Sequence, residues 1–98
     1  MNEEIKKNVW NKGQIVQNNN QEIWRKDQCD AWIKYNEYGN RNSDYGWEID
    51  HIDCNTDNNS LSNLRPLQWK NNLDKSDGKL KCKIISKDIR NIEVGNND

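Results

Sequence analysis

Ninety-eight residues with 32% hydrophobic and 32% charged side chains and a mean hydropathy of -1.32 leave room for one domain around one modest core. A net charge of -1 excludes the strongly basic balance of a non-specific nucleic-acid coat, and no apolar run approaches the length of a membrane span. Residues 1–7 hold no apolar leader core, so a cytoplasmic, intracellular protein is the expectation.

Five tryptophans and three tyrosines offset the polar composition, because each large ring buries much apolar area. Trp10, Trp24, Trp32, Trp47 and Trp69 are spread along the chain, which predicts that most serve the core and not a base-stacking platform. Asn fills 18 of the 98 positions, so an isolated Asn means little and only its spacing and neighbours give it weight. The same bias, with abundant Lys and Ile, is that of an AT-rich coding sequence of microbial or viral type. Cys29, Cys54 and Cys82 are odd in number and form no Cys-x-x-Cys pair. Three reduced, mostly buried thiols and no structural zinc are therefore expected.

In chain order, residues 1–8 lack periodic apolar positions and are expected to fray. Gln14-Ile15-Val16 reads as a short extended piece, and Asn20 as the cap of a brief helical turn carrying Ile23 and Trp24. Residues 31–35 fit strand or helix and close at Tyr38-Gly39-Asn40, a turn signal prolonged through Ser43-Asp44-Tyr45-Gly46. Residues 47–52 alternate as a strand. Asp50 and His51 then point apart unless the strand ends or bulges there, and polar residues 53–60 supply such an ending.

Leu64-Arg65-Pro66-Leu67 reads as a second strand, which its proline confines to an edge or a strand end. A helix should start near Gln68, with Trp69 and Leu73 toward the core, Asn72 and Lys75 sharing another face, and Gly78 as its stop. Residues 80–85 fit a strand or a basic arm, and residues 91–98 a disordered tail. The pattern is α+β, with a single domain over residues 9–90. Residues 63–90 carry a net charge of +5, which leaves -6 elsewhere. This basic half suits nucleic-acid phosphate contacts from Arg65, Lys70, Lys75 and Lys79.

His51 is the only histidine and follows Trp47-Glu48-Ile49-Asp50. Imidazole titrates near neutral pH and can take a proton from water, while the Asp50 carboxylate can hold a hard divalent cation. The pair reads as a metal-dependent nuclease site.

Asp50-His51-Ile52, then Asn63-Leu64-Arg65-Pro66-Leu67, then Asn71-Asn72 with Lys75, resembles the HNH endonuclease family in its variant with Asn at the third position, with a motif core over residues 46–78. The resemblance implies a ββα-metal core, meaning a two-stranded hairpin and a helix around one divalent ion, with a small N-terminal extension packed on it. It implies hydrolysis of phosphodiester bonds in DNA, with His51 as general base and Asp50 and Asn72 as ligands of one Mg2+ or Mn2+. Asn63 would brace the loop behind His51, and Lys75 would meet a phosphate oxygen. The implied partner is nucleic acid, DNA first, and not a membrane.

Cys54 departs from the proline that many relatives carry, and Asp53 and Asp57 add negative charge beside the motif. A non-cleaving HNH-like module that binds nucleic acid or protein is the competing expectation, against which intact Asp50, His51 and Asn72 count. Without paired cysteines the zinc-stapled version of the family is excluded. Packing and the catalytic ion should then hold the core together.

Overall fold

A computed structural model of the chain describes residues 2–76 and 78–95. Helix α1 (Glu3–Trp10) comes first. Three antiparallel hairpins follow among the described residues: β1 (Trp24–Lys26) with β2 (Trp32–Lys34), β3 (Trp47–His51) with β4 (Leu64–Gln68), and β5 (Ile84–Lys87) with β6 (Arg90–Glu93). Helix α2 (Trp69–Leu73) leaves β4 without a connecting loop. The fold class is α+β, and each strand is an edge, which is how β4 tolerates Pro66.

Helix α1 corrects the expectation that residues 1–8 fray. The Asn2 side chain accepts a hydrogen bond from the Ile5 N–H at 2.8 Å, and Glu3 and Glu4 stand in the first turn, where the helix dipole favours them. Ile5 and Val9, one turn apart, then face the core together with Trp10. Those few apolar positions among Lys and Asn are too sparse to stand out as a period. At the other end β6 reaches Glu93, and the Val94 N–H donates to the Lys83 carbonyl at 2.7 Å. The expected disordered tail therefore starts too early; its residues 96–98 lie outside the described residues.

Val9, Trp10, Ile33, Trp47 and Leu64 form the buried centre. The Trp10 ring lies 5.2 Å from Trp47 and 5.2 Å, edge-on, from Tyr35, while Tyr38 meets Trp47 at 4.9 Å. Edge-to-face rings of this kind add attraction beyond their area. Both motif strands thus rest on α1 and β2. Trp10, Trp32 and Trp47 are buried as expected, but Trp24 and Trp69 are only half-buried. Gly46 carries the chain into β3 through a tight spot. A Cβ there would stand 1.9 Å from the Asn40 carbonyl oxygen, so any other residue must move backbone.

A second tie is polar. Asp27, 1% exposed, accepts at Oδ1 from the Cys29 and Ala31 N–H groups, both at 2.9 Å. Its Oδ2 accepts from the Gln68 N–H at 2.9 Å and from Asn71 Nδ2 at 3.1 Å. Burial raises the Asp27 pKa above its ordinary value, and these donors offset that only in part. Asn71 is fully buried and pairs twice with the backbone of Ile84, at 2.9 and 2.8 Å. Its carboxamide acts there like a short length of strand.

Helix α2 has five residues and ends at Leu73, with Gln68 Oε1 accepting from the Lys70 and Asn71 N–H groups at its start. Leu73 is 62% exposed, which corrects its expected core position: the buried face carries Asn71 instead. Lys75 lies past the helix end, not on it.

Cys29 and Cys82 form a disulfide, and Cys54 is free and exposed. The expectation of three reduced thiols is thus overturned, and cysteine chemistry no longer supports a reducing, intracellular compartment. A C-terminal cysteine 53 positions downstream offers no local sequence signal for this pairing. Among the described residues no helix is long and apolar enough to cross a membrane. In the chain-entropy account a loop of this length, closed by a disulfide, restricts the unfolded chain by about 4 kcal/mol at most. Denaturant titration should therefore show reduced protein less stable than oxidised by about 2–4 kcal/mol, and the double variant Cys29→Ser, Cys82→Ser should match the reduced protein.

Candidate active site

Strand register places Asp50 opposite Arg65 and His51 opposite Leu64. Strand β3 stops at His51, and the Cys54 N–H closes a turn on the His51 carbonyl at 3.0 Å, with Cys54 itself at φ +65°. Asp50 and His51 both lie within the regular ladder, which ends only after His51, so alternation keeps them on opposite faces of β3.

Asp50 is 4% exposed. Its Oδ2 accepts from Arg65 Nε at 2.8 Å, and its Oδ1 is paired with the Lys75 ammonium. Arg65 also donates from Nη1 to Gln28 Oε1 at 3.0 Å, and Lys75 reaches the His51 carbonyl at 3.4 Å. Both cationic side chains are largely buried in consequence.

The His51 ring, half-buried, has Nε2 at 2.8 Å from Asn59 Oδ1. A carboxamide oxygen can only accept, so with Asn59 Oδ1 facing it the neutral ring carries its hydrogen on Nε2 and leaves Nδ1 as the basic nitrogen. Asn59 was not singled out by the sequence, where it is one Asn among many.

Asn63 lies at the end of the loop between β3 and β4, and its side chain bonds Asp53 and Asn58 of that loop. Its Nδ2 donates to Asp53 Oδ1 and to the Asn58 carbonyl, both at 2.9 Å, while its Oδ1 accepts from the Asp53 N–H at 3.0 Å. Between these anchors the loop is a chain of side-chain-to-backbone turns, with Asn55, Asp57 and Ser60 N–H groups donating two residues back to Asp53, Asn55 and Asn58. Asp53 therefore organises the loop. Hydrogen bonds from the Asn55 backbone and from Asn63 lower its pKa below the ordinary value of 3.8. From the N-terminal segment, Lys12 Nζ donates to the Leu61 carbonyl at 2.7 Å and also to that of Leu64, clamping the far end of the loop.

Asn72 Nδ2 donates to Glu48 Oε1 at 2.9 Å. Glu48 is also held by Arg41, with Nε to Oε2 at 2.7 Å and Nη2 to Oε1 at 3.0 Å. Burial pushes the Glu48 pKa up, but Arg41 and Asn72 outweigh it and leave it lowered. Glu48 and Asp50 share a face of β3 by alternation, a signal present in the sequence but not used. Asn72 thus meets the first carboxylate of that face and Lys75 the second. Among the described residues no three His, Cys, Asp or Glu side chains cluster as a metal site.

The four basic residues expected to meet phosphate divide. Arg65 and Lys75 turn inward onto Asp50. Lys70 is 41% exposed and 3.4 Å from Glu93, and Lys79 is exposed.

Residues 31–73, which span β2, β3, β4 and α2, match a family model described as HNH endonuclease. This segment is similar to the HNH endonuclease family. No curated protein and no solved structure matches the chain. That similarity suggests nuclease or nucleic-acid-binding work for the segment. The match also extends upstream of the motif core to Ala31, which brings the buried Ile33 within the matched span.

The lowered pKa of Asp53 defines an acid limit for the loop between β3 and β4. A depressed carboxylate stabilises the fold fully above its unfolded value, and that contribution disappears as pH falls through the folded value. Protection of the Asp53 and Asn55 amides from exchange should therefore hold at pH 5 and be lost only as the pH falls below the ordinary carboxylate value of 3.8. Asn63→Ala should reproduce the loosening at neutral pH, by about tenfold for the Asp53 amide.

Proposed function

We propose that the HNH segment is a divalent-metal-dependent endonuclease that hydrolyses phosphodiester bonds in DNA, with β3, β4 and α2 as its ββα-metal core. The observation that carries this reading is the His51 ring at the end of β3. Asn59 holds its Nε2, so Nδ1 is left to take a proton from the attacking water. Next to it in the chain stands a buried carboxylate, Asp50.

The residues fit a hard cation. Asp50 offers a carboxylate, and Asn72, whose Nδ2 is taken by Glu48, keeps its carbonyl oxygen for a ligand. One or two protein oxygens and several waters are the usual surroundings of Mg2+. The Lys75 ammonium marks Asp50 Oδ1 as a place that accepts positive charge. Bound there, Mg2+ or Mn2+ would neutralise phosphate charge and stabilise the leaving oxygen. Lys75 must swing off Asp50 to make way and is then free to pair with a phosphate oxygen. Arg65 keeps the carboxylate oriented, Asn63 holds the loop that carries Asn59, and Lys70 and Lys79 supply phosphate contacts from outside.

A second reading has its own observation, that side-chain cations engage both oxygens of Asp50. A non-cleaving nucleic-acid-binding module, with Lys75 as a permanent replacement for the metal, would keep this arrangement.

Supercoiled plasmid separates the two. Nicking should occur with Mg2+ or Mn2+ and stop in EDTA, and His51→Ala should slow it by about 10²–10⁴-fold at unchanged thermal stability. Plasmid binding without nicking favours the second reading. Asp50→Ala is the poorer control, because it strands two buried cations and endangers the fold itself. Calorimetric titration with Mn2+ tests the competition directly. Lys75→Met should bind the ion more tightly than wild type, and equal or weaker binding would remove Lys75 from the cation site.

A further inference from the structure

A cleft of about 580 Å³ lies away from the motif, walled by Trp24, Trp32, Lys34 and Tyr45, with Ile89 at its rim. Trp24 meets Tyr45 edge-to-face at 5.1 Å and 85°, and Trp32 at 5.9 Å and 81°. Two rings thus stand nearly perpendicular to a third. Trp10 and Trp47 are fully buried by contrast, whereas Trp24 and Tyr45 are half-buried and Ile89 is 87% exposed. Apolar surface of this kind, gathered at one cleft, invites a flat guest.

The charges around the rings select among guests. Lys34 Nζ lies 5.4 Å from the Trp24 ring centroid and Lys26 Nζ 4.7 Å from that of Trp32. An aromatic box ordinarily suits a cation, but a cationic guest here would meet the Lys34 ammonium of the lining, with Lys26 already on the Trp32 ring. A planar guest that carries an anion meets a ring face and positive charge together. The one carboxylate of the lining, Glu37, accepts from Asn40 Nδ2 at 2.8 Å.

We propose that this cleft takes one unstacked nucleotide of a single DNA strand, with the base against Trp24 and the phosphate at Lys34. The proposal rests on the nuclease reading in choosing nucleic acid as the partner, but it requires neither His51 nor a metal. Aromatic stacking of one base is strong enough to change affinity by about tenfold or more and tolerates any base.

Anisotropy of a short labelled single strand, in EDTA to prevent cleavage, tests it. Trp24→Leu should weaken single-strand binding by about tenfold or more while duplex binding stays at the wild-type level. Trp24→Phe, which keeps a ring, should retain most of the affinity, and Lys34→Gln should weaken binding and flatten its salt dependence. Unchanged binding by folded Trp24→Leu overturns the proposal, as does a Phe variant as weak as the Leu variant, or a wild-type protein that ignores the single strand. A free mononucleotide that competes as well as the strand overturns the assignment to a strand. Ultraviolet crosslinking of a bromouracil-substituted strand reads the contact in the unaltered chain: adducts on Trp24 or Tyr45 support it, and adducts only elsewhere overturn it. Trp24-dependent binding by a protein that never nicks plasmid would uphold this site and sink the nuclease reading. Nicking abolished by His51→Ala, with binding indifferent to Trp24, would do the reverse.

Discussion

One buried carboxylate holds the two halves of this small chain together. Asp27 accepts four hydrogen bonds, two from the residues that lead into β2 and two from the junction of β4 with α2. Leaving a buried donor without its acceptor costs about 1–3 kcal/mol, and here four donors depend on one side chain. The consequence reaches the candidate site. Gln68 both donates its backbone N–H to Asp27 and caps α2 with its side chain, so the position of α2, and of Asn72 and Lys75 with it, is set from outside the motif. The aromatic centre supplies the packing that the composition led one to expect, and the Cys29–Cys82 bridge adds a covalent tie that it did not.

Legibility in the sequence follows the range of the forces. Strands β3 and β4 were readable because period-two alternation and a proline act locally, and the loop between them was readable because polar residues in a run cannot form a third strand. Asn63 was readable by its spacing from His51. Asn59 was not, because its role depends on a loop bent by successive Asn and Asp side chains, and in a chain so rich in Asn each of these looks like background. Asn71 and Asn72 illustrate the limit. They are adjacent and chemically identical, yet one is fully buried against Asp27 and Ile84 while the other bonds Glu48 at the site. Only the short helix, starting at Trp69 under the Gln68 cap, decides which is which. Leu73 failed as a core position for the same reason: a five-residue helix ends before its apolar stripe can repeat. The disulfide failed because 53 residues separate its partners and odd numbers of cysteine argue against pairing only on average.

Two buried carboxylates, two kinds of partner, and a difference in what each can do: Asp27 is satisfied by neutral N–H groups, three of them main-chain, which cannot leave without unfolding. Asp50 is satisfied by the ends of long side chains. Its surroundings can therefore change while the fold stays, which is the property a ligand site needs and a structural tie does not.

Of the two cations on Asp50, the structure distinguishes the one that can yield. Arg65 is pinned at both ends of its guanidinium, to Asp50 Oδ2 at 2.8 Å and to Gln28 Oε1 at 3.0 Å, and it sits in the strand directly opposite Asp50. Moving it breaks two directed bonds and disturbs β4. Lys75 lies beyond the end of α2 on a flexible stem, and apart from Asp50 it reaches only the His51 carbonyl, at 3.4 Å. An ammonium is a compact charge without the planar fork that fixes Arg. Displacement of Lys75 leaves Oδ1 open while Arg65 still orients the carboxylate from Oδ2. On the proposed reading, a divalent ion held there would put two positive charges where one stands, and the displaced ammonium would stay tethered nearby for a phosphate oxygen.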